Sequence, residues 1–120
     1  MFNQQFFVEP NVFHTGSSLD GYSLVTGATQ LTYGAKLLGF ITMNSGGDGY
    51  VQVHDGYAQP TNASVPLVSI KALSGTQVSL DCSVFSCVPV RTGIVIALST
   101  TGSTYTAGAA TLWTTAFWLK

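Results

Sequence analysis

The chain has 120 residues, the length of one domain, of which 46% are hydrophobic and only 8% charged, against about 25% charged in an average soluble domain. Four scattered cations, Lys36, Lys71, Arg91 and Lys120, face five acids for a net charge of −1, which forms no phosphate-tracking stripe and argues against nucleic acid or an anionic membrane surface as partners. A free monomer keeps a charged surface to stay soluble, so a chain in which Ser, Thr, Gly, Asn and Gln stand in for Lys and Glu is better suited to having its surface covered by neighbours.

Residues 1–10 carry no basic stretch followed by a continuous apolar one, so no signal peptide is expected there and synthesis inside a cell is. No segment of the chain approaches the roughly 20 apolar residues that span a bilayer as a helix. Residues 1–20 form an N-terminal arm or edge segment, in which Phe2, Phe6, Phe7 and Phe13 sit among Asn, Gln, Glu and Pro without sustained alternation. Each fully buried Phe contributes about 1.5–3 kcal/mol, so four left in water would be costly. Two placements satisfy them: an edge strand packed on its own domain, or an arm reaching across to a neighbouring subunit.

Residues 21–120 read as one β-domain. Residues 37–43 are a mostly apolar run buried on both faces, with Gly39 marking a bulge or a close backbone approach. Residues 50–55 alternate, Val51 and Val53 against Gln52 and His54. Residues 66–73 follow, then 77–85, the clearest period-2 strand, with Val78, Leu80, Cys82 and Val84 on one side. Residues 93–98 are a continuous apolar run, and residues 110–119 close the set. Gly-, Asn-, Ser- and Pro-rich breaks separate these runs, among them Ser45-Gly46-Gly47-Asp48-Gly49, expected to be a hairpin turn. No crossover helix fits between the strands, which excludes a parallel sheet and leaves an all-β, antiparallel β-sandwich or small barrel.

Chemistry-bearing residues are sparse. His54 and Asp55 are adjacent on a strand, so they point to opposite faces and do not converge on one substrate atom; Asp55-Gly56 reads as a turn whose carboxylate bonds backbone N–H groups. His14 has no evident partner. Asp48, with Asp20 and Asp55 as the only conceivable helpers, falls short of the six to eight oxygens that calcium takes. Cys82 and Cys87 lack the two further ligands of a zinc site. On an extended strand they would stand about 16 Å apart, so a disulfide needs a turn between them, and the free and bonded states both remain open. The Asn62-Ala63-Ser64 sequon carries little weight without a secretory leader. No nucleophile elbow or paired-carboxylate arrangement is visible, and neither an enzyme nor a cofactor or metal is expected. The aromatic set, Trp113 and Trp118 with Tyr22, Tyr33, Tyr50, Tyr57 and Tyr105, admits a sugar-stacking alternative: a carbohydrate-binding module or receptor-binding sandwich.

Tyr50-Val51-Gln52-Val53-His54-Asp55-Gly56, the following Pro66-Leu67, and the run Arg91-Thr92-Gly93-Ile94-Val95-Ile96-Ala97-Leu98-Ser99-Thr100 resemble the strand pattern of small β-sandwich proteins in tailed-bacteriophage virions. The likeness covers residues 35–119 and is one of pattern. It implies a jelly-roll-like sandwich serving as a head decoration (cement), head-fibre or neck component, located in the virion. It also implies a homotrimer that contacts the major capsid or other virion proteins, with no catalytic residues to carry over. Within that reading the contact surfaces expected are Phe2, Phe6, Phe7 and Phe13 of the arm, and the face around Trp113 and Phe117.

Overall fold

The computed structural model describes residues 11–14, 21–24, 34–81, 88–108 and 112–119. These form nine strands: β1 (Asn11–His14), β2 (Tyr22–Leu24), β3 (Ala35–Asn44), β4 (Gly49–Asp55), β5 (Val68–Ala72), β6 (Gln77–Asp81), β7 (Val88–Val90), β8 (Ile94–Ser99) and β9 (Leu112–Leu119). All pairings are antiparallel. One sheet has the order β1-β9-β3-β6, with β7 also pairing on β3; the other has the order β2-β8-β4-β5.

The pairings are nested. β4 pairs the next strand, β5; β3 pairs β6 and β7; β2 pairs β8; and β1 pairs β9. The first half of the chain is thus laid antiparallel along the second, and this long ribbon is wrapped into two layers. Leu37, Phe40, Val78 and Val90 from the first sheet form a hydrophobic core with Val51, Val53, Ala72, Ile94, Ile96 and Leu98 from the second. Both sheets feed this core, so they pack face to face as an all-β sandwich.

β8 is buried at every position from Ile94 to Ser99, as its unbroken apolar run leads one to expect. β3 departs from its expected burial on both faces. Its register against β9 shifts between Leu37 and Gly39, which leaves Leu38 as the extra residue of a bulge. Beyond the bulge the inward set is Phe40, Thr42 and Asn44, while Ile41 and Met43 are turned to the other side, 43% and 40% exposed. Gly39 is required by the same kink: a Cβ there would lie 2.5 Å from the carbonyl oxygen of Leu80 on β6.

The Ser45–Gly49 stretch is not a hairpin. β3 and β4 belong to different sheets, so this connection carries the chain from one layer to the other. Asn44 braces it, donating from Nδ2 to the carbonyls of Gly47 (3.0 Å) and Ala72 (3.3 Å) and accepting the Gly46 N–H at Oδ1 (2.9 Å).

Part of the N-terminal segment belongs to the domain's own sheet. Asn11–His14 is an edge strand against β9, with Asn11 opposite Trp118 and His14 opposite Thr115. Phe2, Phe6 and Phe7 lie outside the described residues, as do Glu9, Asp20, Cys82 and Cys87.

Candidate functional site

Two surfaces carry features that packing alone does not require. The first is the outer face of the β1-β9-β3-β6 sheet. Residues directly opposite one another on neighbouring strands share a face. Met43 is opposite Trp113 on β9 and Gln77 on β6; Ile41 is opposite Thr115 and Ser79. Phe117 is opposite Gly39 and Val12. The Ile41 and Met43 rungs carry no Lys, Arg, Asp or Glu, with His14 at the β1 end of the Ile41 rung and Asp81 one rung further on, opposite Gly39; two large apolar side chains stand in water there. Phe13 belongs to a different rung, opposite Ala116, which in turn is opposite the core residue Phe40. The register therefore sets Trp113 opposite Met43 and Phe117 opposite Gly39, and sets Phe13 on the rung of Phe40.

The second surface is the outer side of β4. Strand alternation sends Val51 and Val53 into the core and Gln52 and His54 the other way. That polar face is roofed: Gln52 is fully buried and His54 is 5% exposed. The roof is the 100–107 loop together with the 56–67 connection. The two are tied by Ala63 N–H to the Tyr105 carbonyl (2.8 Å) and Tyr105 N–H to the Ser64 carbonyl (2.8 Å). Ala63 adopts φ 70, a left-handed conformation uncommon for a residue with a side chain.

Gln52 holds the roof from below. Its Nε2 donates toward the carbonyls of Thr101 (2.9 Å) and Thr104 (3.1 Å), with Gly102 O at 3.3 Å and Ser69 Oγ at 3.4 Å. Ser99 Oγ donates to Thr101 O (2.8 Å) and accepts the Thr106 N–H (2.9 Å). With the amide nitrogen so committed, Gln52 Oε1 is left as an acceptor, 2.8 Å from His54 Nε2. The edge of one ring meets the face of the other between His54 and Tyr105, centroids 5.5 Å apart at 82°. Gln59 Nε2 completes the set with a bond to the Tyr105 hydroxyl, 3.2 Å.

Beside His54 the roof leaves an open groove of about 430 Å³, lined by Asp55, Tyr57, Gln59, Thr61 and Leu67 among others. Asp55 closes one end structurally. Its Oδ2 accepts the Arg91 N–H (2.8 Å), and its Oδ1 accepts the Thr92 N–H (2.9 Å), the Thr92 hydroxyl (2.9 Å) and the Gly93 N–H (3.3 Å). The carboxylate does bond backbone N–H groups, in the turn before β8 rather than in its own. Asp48 serves likewise, accepting the Ser74 N–H at 2.8 Å. His14 and His54 are on strands of different sheets, and among the described residues no three His, Cys, Asp or Glu side chains converge.

Burial pushes the His54 imidazole below its ordinary value of 6.5. For Asp55, partial burial acts upward, but the bonds from Thr92, Arg91 and Gly93 outweigh it and hold the carboxyl below 3.8. In both cases the unfolded chain binds the proton more tightly, so stability rises with pH across each interval. The stability from neutral His54 is complete above pH 6.5 and declines as pH falls from there toward the folded value. That from Asp55 is complete above 3.8 and is lost as pH falls below it. Urea unfolding at a series of pH values is expected to show two successive losses, and Asp55→Asn is expected to remove the more acidic one.

No family model, no curated protein and no solved structure matches this chain. Its functional reading is built from the geometry above and the pattern of its sequence.

Proposed function

We propose that this chain is a structural protein of a virion, a jelly-roll sandwich that coats a tailed-bacteriophage capsid, or another virion part, as a homotrimer. The observation that carries the proposal is the outer face of the β1-β9-β3-β6 sheet. Ile41 and Met43 are exposed there, in register with Trp113 and Thr115 and with no Lys, Arg, Asp or Glu on their rungs. Adhesion by buried surface needs such a patch: the centre of a protein interface is depleted in charge and enriched in aromatic residues and Met. Contact repeated over several subunits raises effective affinity without further chemistry.

Three features support it. With β6 and β7 taken as one interrupted strand along β3, the nested pairing is compatible with a jelly roll, an architecture used by viral capsid and lectin domains. The chain is poor in charge, at 8%, which fits a surface largely covered in an assembly. Asp48, Asp55 and Gln52 are each occupied in bracing loops. Phe2, Phe6 and Phe7 enter the proposal as contacts of the arm preceding β1, and Trp113 and Phe117 as contacts of the sheet face. No catalytic step belongs to this reading.

In a density gradient of particles from cells that express the chain, it is expected to band with assembled particles and to resist removal by moderate salt, since the contact is apolar. Recovery only from the soluble fractions would count against a virion role.

A further inference from the structure

We propose that the groove beside His54 binds a short neutral saccharide through its hydroxyl groups. The inference is independent of the assembly reading, because the groove lies on the β2-β8-β4-β5 sheet and the assembly face on the other.

The argument starts from a proton count. Gln52 Nε2 faces carbonyl oxygens at 2.9 and 3.1 Å, which fixes the amide orientation and makes Oε1 the acceptor opposite His54 Nε2. A bond between Oε1 and Nε2 therefore requires the hydrogen on Nε2. In the neutral ring Nδ1 then carries a bare lone pair. No described residue donates to it, although the side chain is only 5% exposed. A buried acceptor with no donor among the described residues is uncommon in a native fold, and beside an open groove it is a position for a ligand hydroxyl.

The groove's remaining lining narrows that partner. Its volume of about 430 Å³ falls in the range of small-molecule sites, roughly 300–1,000 Å³. No lysine or arginine is among its described lining residues, so none of them would hold an anion. Asp55, the only charged residue among the described lining, already accepts four hydrogen bonds from the turn before β8, which leaves it a poor partner for a cation. Gln59 commits its nitrogen to Tyr105 and keeps its amide oxygen as an acceptor. The Thr61 and Ser64 hydroxyls, 2.8 Å apart, offer further exchangeable positions. The site is thus neutral and rich in acceptors, and it asks for a neutral donor of several O–H groups. Tyr57, 51% exposed in the same lining, supplies an aromatic face for the C–H face of a pyranose. In an oligomer the groove would be repeated on every subunit, so weak single-site affinity would be multiplied at a glycan-covered surface.

The test uses the full chain labelled with ¹⁵N-histidine. Methyl β-glucoside, methyl β-galactoside and methyl β-N-acetylglucosaminide are each titrated to about 50 mM, enough to see millimolar binding. The expected result is a saturable change in the His54 Nδ1 resonance with at least one of them, in the direction of a new hydrogen bond. Tyr57→Ala, chosen because the residue is exposed and its loss should spare the fold, is expected to weaken that binding at least tenfold. His54→Phe is a poorer probe because it would orphan Gln52 Oε1. The proposal is overturned if none of the three glycosides shifts the resonance saturably, which would mean that Nδ1 is satisfied by water alone. It is equally overturned if Tyr57→Ala binds as the wild type does.

Discussion

Replacing Gln52 with leucine is expected to lower stability by about 2–4 kcal/mol and to release the loop over β4. Leucine has similar volume, so no large cavity forms, and the effect isolates hydrogen bonding. The Thr101 and Thr104 carbonyls lose their amide donor and His54 Nε2 loses its acceptor. A buried polar group left unsatisfied costs about 1–3 kcal/mol. The carbonyls keep other partners, Ser99 Oγ at 2.8 Å on Thr101 O and Thr101 Oγ1 at 2.7 Å on Thr104 O, which holds the total below a simple sum. Urea unfolding measures the loss. Hydrogen exchange at the Tyr105 and Thr106 amides, bonded to Ser64 O and Ser99 Oγ, is expected to speed more than exchange in β3. A variant as stable as the wild type would mean that Gln52 does not hold the roof.

The second large effect is on association. Ile41→Lys combined with Met43→Lys is expected to raise the dissociation constant of the proposed oligomer about a thousandfold. Each site at the centre of an interface is worth about 2 kcal/mol or more, roughly thirtyfold in affinity, and a buried ammonium without a partner adds a further penalty. The monomer should keep its fold, because both side chains are already 40% or more exposed and their lysine replacements reach solvent. Sedimentation equilibrium gives the constant, and far-ultraviolet circular dichroism reports whether the sheet is retained. An oligomer of unchanged affinity in a folded variant places the interface elsewhere.

How far the sequence reveals this molecule varies with the range of the interaction. The apolar run of β8 and the alternation of β4 are local, and those strands stand where the patterns put them; of the strand expected over residues 77–85, β6 accounts for Gln77–Asp81 and the rest lies outside the described residues. The bulge in β3 was signalled by Gly39, but its consequence was not. Only the pairing with β9 shows that one extra residue moves Ile41 and Met43 out of the core. β7 escaped notice because Val-Pro-Val is three residues long with a proline at its centre, a residue that removes a ladder donor and usually argues against a strand. β2, also three residues, lacked a turn signal strong enough to frame it.

The roofed polar face was the least legible part. Gln52 reads as the solvent side of an alternating strand, and the Ser/Thr/Gly stretch after β8 reads as a surface turn. Their union depends on contacts 49 and 52 residues apart in sequence, and no local pattern encodes it. The one advance sign was Asp55, correctly read as a backbone-bonding carboxylate, though the N–H groups it serves belong to a turn 36 to 38 residues further on.

The central claim, that this sandwich works by assembling through the sheet face that exposes Ile41 and Met43, is tested most directly by the mass of the full chain in solution. Light scattering behind a sizing column, run over a range of loading concentrations, is expected to give about three times the 12.6 kDa chain mass, decreasing on dilution. A mass of one chain at every concentration would contradict the claim and leave Ile41 and Met43 as an exposed apolar pair without a partner of their own kind.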